Sequence, residues 1–291
     1  MIPFEFNKKS RREKSACVKK YKKFLLAGTK ERNVEELDWW CRNYLKRAFE
    51  EVIEMPYEEL CELKENLDWL HCEGEILPAH LKKYIIGTLY RDHVPRTYLI
   101  DSLGVTVCPY CNRAYINRTS KYTVCQLDHF FDKSAYPIMA VSFYNLIPVC
   151  GTCNWLKRQK LLEYSPYDKR FDSADQLLEF GFKAENEKAL SGVDRVTAIT
   201  IHSKQHCMED NVKKLELTEL YQIHTDIVQE LLYKKKAYPK LYQDYLKGLC
   251  EGIKVDPGRV IIGNYTTPES YGKRPLAKMM ADIGKKTGLI D

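Results

Sequence analysis

Two short cysteine motifs, Cys108-Pro-Tyr-Cys111 and Cys150-Gly-Thr-Cys153, leave this chain few ways to fold around residues 108–153. A tight CxxC turn brings two sulfurs to one ion, and two such turns supply the four thiolates of a closed tetrahedral zinc site, with Zn–S distances of about 2.3 Å. The chain holds eleven cysteines, an odd number, and most of the others are scattered. Cys17, Cys41, Cys61 and Cys250 fall among apolar neighbours, where a free thiol behaves as a small hydrophobe. In a reducing compartment, paired cysteines are metal ligands rather than bridges. A structural zinc on Cys108, Cys111, Cys150 and Cys153 is therefore expected, with iron in the same sulfurs as the minor alternative. Binding an ion there contributes folding energy directly. Four sulfurs leave no open coordination position, so any chemistry must sit elsewhere.

The connection between the pairs runs over residues 112–149, against about 15 to 20 residues in an ordinary zinc ribbon. The excess contains "QLDHFFDKS" and "FYNLIPVC", and the second pair runs on into "CGTCNWLKRQK". This order (CxxC, Asp-His, Asn-Leu, CxxC-Asn, then Lys) resembles the HNH endonuclease family, in particular its four-cysteine, endonuclease VII-like subgroup. The resemblance covers residues 103–160. It implies an α+β fold with a treble-clef-like ββα-metal core around one divalent cation. It also implies roles: Asp128 and Asn154 hold the metal, His129 is the general base, and Asn145 braces the loop that carries His129. The last motif position is Asn154 where much of the family has His, which leaves the metal two protein ligands.

Those residue types suit the chemistry in their own right. Phosphodiester hydrolysis needs a nucleophilic water, a base to deprotonate it, and positive charge for the phosphoryl oxygens and leaving group. Asp128 and Asn154 offer oxygen ligands to a hard Mg²⁺ or Mn²⁺. An imidazole with an unperturbed pKa near 6.5 can accept a proton at neutral pH. "WLKRQK" is expected to start a helix at the second knuckle, whose N-terminus would favour an anionic phosphate, with Lys157, Arg158 and Lys160 as nucleic-acid-binding cations.

Around this centre the apolar periodicity predicts a helical N-terminal region over residues 1–100 and a mixed α/β C-terminal extension over 171–291, leaving 101–170 as the nuclease core that the resemblance implies. In the first, Cys17, Tyr21, Phe24 and Leu25 share a face, Val34 through Val52 continue the spacing to Pro56, and Pro78 opens another helix. In the last, "LLEFGFKA" and "RVTAITI" read as strands, Leu217 to Leu231 as one long amphipathic helix, and the tail as loop ending in a short basic helix. Residues 8–23 carry nine Lys or Arg against Glu13 alone, a basic arm suited to phosphate. Hydrophobic residues make up 44% and charged residues 30%, as in soluble globular proteins. No apolar run reaches the roughly 18 to 20 residues of a membrane span, and the first residues lack a secretory core, so a cytoplasmic protein with no membrane partner is expected.

The expected function is metal-dependent cleavage of DNA. The rivals are a non-catalytic zinc-stabilised adaptor that binds nucleic acid or protein, and the same chemistry on RNA. The flanks, through "SFYNLIPVCGTCN" and the "KRPLAKM" tail, resemble bacterial HNH effectors of anti-phage defence of the Septu and retron-associated kind. That resemblance implies a regulatory ATPase partner. His202, His206 and Cys207 have metal-like spacing with no second cluster to complete it, and His224 reads as a core histidine.

Overall fold

Ser10 and Glu13 open the first long helix reciprocally. The Ser10 amide donates to Glu13 Oε2 at 2.9 Å and the Glu13 amide donates to Ser10 Oγ at 3.3 Å, a capping box that satisfies two otherwise orphaned donors. The structure, a computed structural model, describes residues 1–74, 77–119, 122–184 and 196–290. The chain divides into two compact units, one of residues 4–105 and 116–170, the other of residues 1–3, 106–115 and 171–291. Among the described residues no helix is long and apolar enough to cross a membrane.

In the first unit, α1 (Arg11–Leu26) buries Val18, Tyr21 and Leu25 at helical spacing, and the Tyr21 hydroxyl donates to Val141 O at 3.0 Å. The basic stretch is thus the outer side of a core helix, with Arg11, Arg12, Lys19, Lys20 and Lys23 exposed, rather than a loose arm. Phe24, grouped by spacing with the apolar face, is 42% exposed. The helix expected to run from Val34 to Val52 is two helices, α2 (Glu31–Tyr44) and α3 (Phe49–Glu54). Lys46 takes a left-handed φ of 56° between them, and Asp38 Oδ1 accepts the Phe49 amide at 2.9 Å, which folds the chain back on α2. Pro56 precedes α4 (Tyr57–Cys72), which buries Leu60, Leu63, Leu67 and Leu70. Pro78 precedes α5 (Ala79–Tyr84), which continues as a π-helix over Ile85–His93; beyond its end the Val94 amide reaches back five residues to Leu89 O at 3.0 Å. Helix α6 (Arg96–Leu103) stops at Gly104, whose φ of 67° is a left-handed cap.

Strands β1 (Gln126–His129) and β2 (Leu146–Val149) pair antiparallel, with Asp128 opposite Ile147 and His129 opposite Leu146. Helix α7 (Gly151–Lys157) follows directly and packs on β1. It begins at Gly151, not at Trp155 as expected, with the extended Cys150 at the N-cap position; it ends at Lys157 because Arg158 turns to a φ of 47°. Phe143 anchors this region among Phe6, Tyr21 and Tyr144, at centroid distances of 5.2, 5.3 and 5.2 Å.

In the second unit, β3 (Leu178–Ala184) and β4 (Val196–Ser203) form a twisted pair with a register shift at Lys183/Ala184. The expected long helix from Leu217 is broken into Leu217–Tyr221, a 3₁₀ turn at Gln222–His224, and Thr225–Ala237. Gln222 explains the break: its amide exchanges hydrogen bonds with Ile199 N and O on β4, at 3.1 and 2.9 Å. The tail is more ordered than a loop. It forms helix Pro257–Ile262 and then helix Ala277–Lys286, which packs on β3. There the buried Lys278 ammonium lies 2.6 Å from carboxylate oxygens of both Asp175 and Asp282.

Tyr21→Phe keeps the ring and removes only the donor to Val141 O. It should cost about 1–2 kcal/mol, read as a lower urea midpoint, whereas Lys19→Gln on the outer side of the same helix should leave the midpoint in place.

Candidate metal centre and active-site cleft

The first cysteine turn is built by its own backbone. The Cys108 amide donates to Ala114 O and the Asn112 amide to Cys108 O, both at 2.8 Å. Asn112 sits at a φ of 53°, a conformation that Asn tolerates better than most residues. The second turn is the start of α7, with Cys150 at the cap and Cys153 buried one turn in. The four Sγ atoms of Cys108, Cys111, Cys150 and Cys153 all lie within 4.8 Å of one another, the one such metal-type cluster among the described residues. Sulfurs about 2.3 Å from a tetrahedral zinc stand about 3.8 Å apart, so the set fits a zinc ion with only a small contraction. His202, His206 and Cys207 join no such cluster. His224 accepts a hydrogen bond from Arg113 Nε at 3.1 Å.

A cleft of about 410 Å³ opens wholly within the first unit, lined by Asp128 and His129 of β1, Asn154 of α7, and Tyr90, Arg96, Lys133 and Arg158 among others. A larger hollow of about 760 Å³ is lined by α1, α2 and α3. Both of its cations are already paired (Lys22 with Glu50 and Glu54, Arg42 with Asp38), and it holds no histidine or cysteine. The smaller cleft is the chemically equipped one.

His129 is 7% exposed, and its Nε2 lies 3.0 Å from Ala140 O. A carbonyl only accepts, so Nε2 carries the proton and Nδ1 keeps the lone pair. Burial, with Lys133 and then Lys157 and Arg96 as like charges, pushes the imidazolium pKa down to about 3 against a smaller opposing effect of the Ala140 carbonyl. The ring is neutral at pH 7, but burial leaves it a weaker base than the imidazole near 6.5 expected from the sequence. Tyr90, from the π-helix, lies against it at a centroid distance of 4.4 Å and donates its hydroxyl to Leu127 O at 3.2 Å.

Asn145, fully buried, spans the loop after β1. Its Oδ1 accepts from Phe131 N at 2.8 Å, and its Nδ2 donates to Phe131 O at 3.1 Å and Met139 O at 2.9 Å. It does not line the cleft. Asn154 donates from Nδ2 to Gln126 Oε1 at 2.6 Å, a bond that does not use its amide oxygen. Asp128 is 3% exposed, and its Oδ1 is 3.1 Å from Lys157 Nζ. Lys157 also donates to His129 O at 2.7 Å and is 1% exposed. Lys157, grouped in the sequence with the phosphate-facing cations, points inward, since its helix buries that side against β1; Arg158 and Lys160 are exposed.

Tyr90, Arg96 and Lys133 were not anticipated as cleft residues. Lys133 stands in "DHFFDK" and adjacency could have flagged it; Tyr90 and Arg96 arrive from the helical region and carry no local signal. No protein-family model, curated protein or solved structure matches the chain.

Two outcomes follow from this geometry. Cys108→Ser should lose zinc by elemental analysis and melt lower, because removing one thiolate opens the site; a zinc-loaded variant of unchanged melting temperature would rule the four-sulfur centre out. His129 binds a proton more weakly folded than unfolded, so its contribution to stability is full above about pH 6.5 and is lost as pH falls from there toward about 3. Urea titrations between pH 6.5 and 4.5 should show a shallower loss for His129→Asn than for the parent, and equal slopes would contradict a buried neutral ring.

Proposed function

We propose that this chain is a metal-dependent, HNH-type endonuclease that hydrolyses phosphodiester bonds in DNA, with a ββα-metal core and zinc as scaffolding. One observation carries the reading: a neutral imidazole shares a single cleft with a carboxylate and a carboxamide on a β–β–α unit. Asp128 and Asn154 would hold Mg²⁺ or Mn²⁺, which when bound supplies positive charge to the phosphoryl oxygens and leaving group.

The chain's own groups do the rest. His129 takes a proton from water at Nδ1, while its Nε2–H bond to Ala140 O holds the ring and accepts part of the charge that develops. Asn145 fixes the loop that presents Ala140 by tying Phe131 to Met139. Lys157 offsets the Asp128 charge and binds the strand carrying both residues to α7. Arg96, Lys133 and Arg158 line the cleft as cations for an anionic backbone. Asp128, His129 and Asn154 all lining one cleft with three cations favours the enzyme over a binding adaptor.

Purified protein should nick plasmid with Mg²⁺ or Mn²⁺, and His129→Ala should lower the rate by about 10²- to 10⁴-fold with zinc content unchanged. Equal cutting by the variant would end this assignment. Digesting plasmid beside a transfer RNA tests the sugar: faster loss of the RNA would move the substrate class.

A further inference from the structure

We infer that Trp155 and Arg158 form a stacking platform for an unpaired base next to the scissile phosphate, so that the preferred DNA has unstacked bases, as in single strands, flaps or forks. The inference rests on the nuclease reading above and adds the substrate class. Helix α7 buries Cys153, Leu156 and Lys157, yet Trp155 on the same helix is 63% exposed. Exposure alone is common for single aromatic residues; what sets Trp155 apart is its place beside the cleft and its Arg158 partner. Its neighbour Asn154 lines the cleft, and so does Arg158.

Trp155 is also held in place. The Arg158 guanidinium carbon lies 4.5 Å from the indole centroid, and Arg158 Nε donates to Trp155 O at 3.2 Å. A guanidinium over one ring face fixes the plane of the other and keeps a positive charge beside it. Arg158 reaches this position through a left-handed φ of 47°, which L-residues other than Gly, Asn and Asp rarely adopt. Trp155 does not itself line the cleft, but Arg158, which holds it, does, so a base stacked on the indole would leave its phosphate near the cleft cations. Bases within uninterrupted duplex are already stacked on one another and cannot reach it. Trp39 and Trp69 are as exposed, at 62% and 60%, but stand on α2 and α4, which contribute nothing to the cleft; they are internal controls.

The test uses full-length His129→Ala protein without Mg²⁺ or Mn²⁺, with a fluorescent oligothymidylate and a blunt duplex of equal length as probes. Adding Trp155→Ala should weaken oligothymidylate binding by roughly 5- to 100-fold and leave duplex binding and melting temperature nearly unchanged. Trp155→Phe should retain most of the affinity, and Trp69→Ala all of it. Unchanged oligothymidylate affinity in Trp155→Ala, equal losses on both DNAs, or no oligothymidylate binding by the His129→Ala parent would each overturn the platform. Plasmid cutting by the wild type is scored apart. Cutting with no Trp155 effect removes the platform and keeps the nuclease, whereas stacking without cutting does the reverse.

Discussion

A single buried ammonium organises the centre of this protein. Lys157 Nζ, 1% exposed, contacts Asp128 Oδ1 at 3.1 Å and His129 O at 2.7 Å. Strand β1 and helix α7 are 21 residues of sequence apart at their nearest ends, and this side chain joins them at the two positions on which the proposed chemistry depends. A buried charge is tolerated only when paired and hydrogen-bonded, and here both conditions are met by the same neighbours. A divalent ion arriving at Asp128 would meet a cation already beside the carboxylate. In the proposed reading, affinity for that ion would depend on how far the ammonium yields, which would tie metal binding to the docking of α7.

Around that contact the polar groups divide labour by burial. Asn145 is out of reach of solvent and spends both its donors and its oxygen on the backbone of one loop. His129 uses one nitrogen for a carbonyl and keeps the other. Asn154, less buried, leans on Gln126. The cations follow the same gradient: Lys157 inside, Lys133 and Arg96 half-buried at the wall, Arg158 and Lys160 outside.

What could be read from the sequence was local. The cysteine spacing is a distance constraint written in the chain itself, and the four sulfurs do converge. The apolar runs of "LLEFGFKA" and "RVTAITI" were likewise local signals, and Leu178–Ala184 pairs with Val196–Ser203. What escaped was decided by partners far away in sequence. Nothing in "WLKRQK" tells which lysine turns inward, because that depends on Asp128 and His129 lying beneath α7. The breaks at Lys46 and at Gln222 interrupt good apolar periods because Asp38 and Ile199 offer competing hydrogen bonds. Tyr90 and Arg96 look like ordinary members of a helical stretch and become cleft residues only through the fold.

The π-helix over Ile85–His93 gives the cleft an unexpected dependence on helical winding. Its wider winding absorbs an extra residue that an α-helix would not hold, at the expense of poorer hydrogen bonding, and it delivers Tyr90 to the face of His129. A π segment turns less per residue than an α-helix, so where Tyr90 points depends on Ile85–His93 keeping that winding. The aromatic wall of the cleft is thus set by the winding of the helix that carries it together with the Tyr90 hydroxyl's tie to Leu127 O.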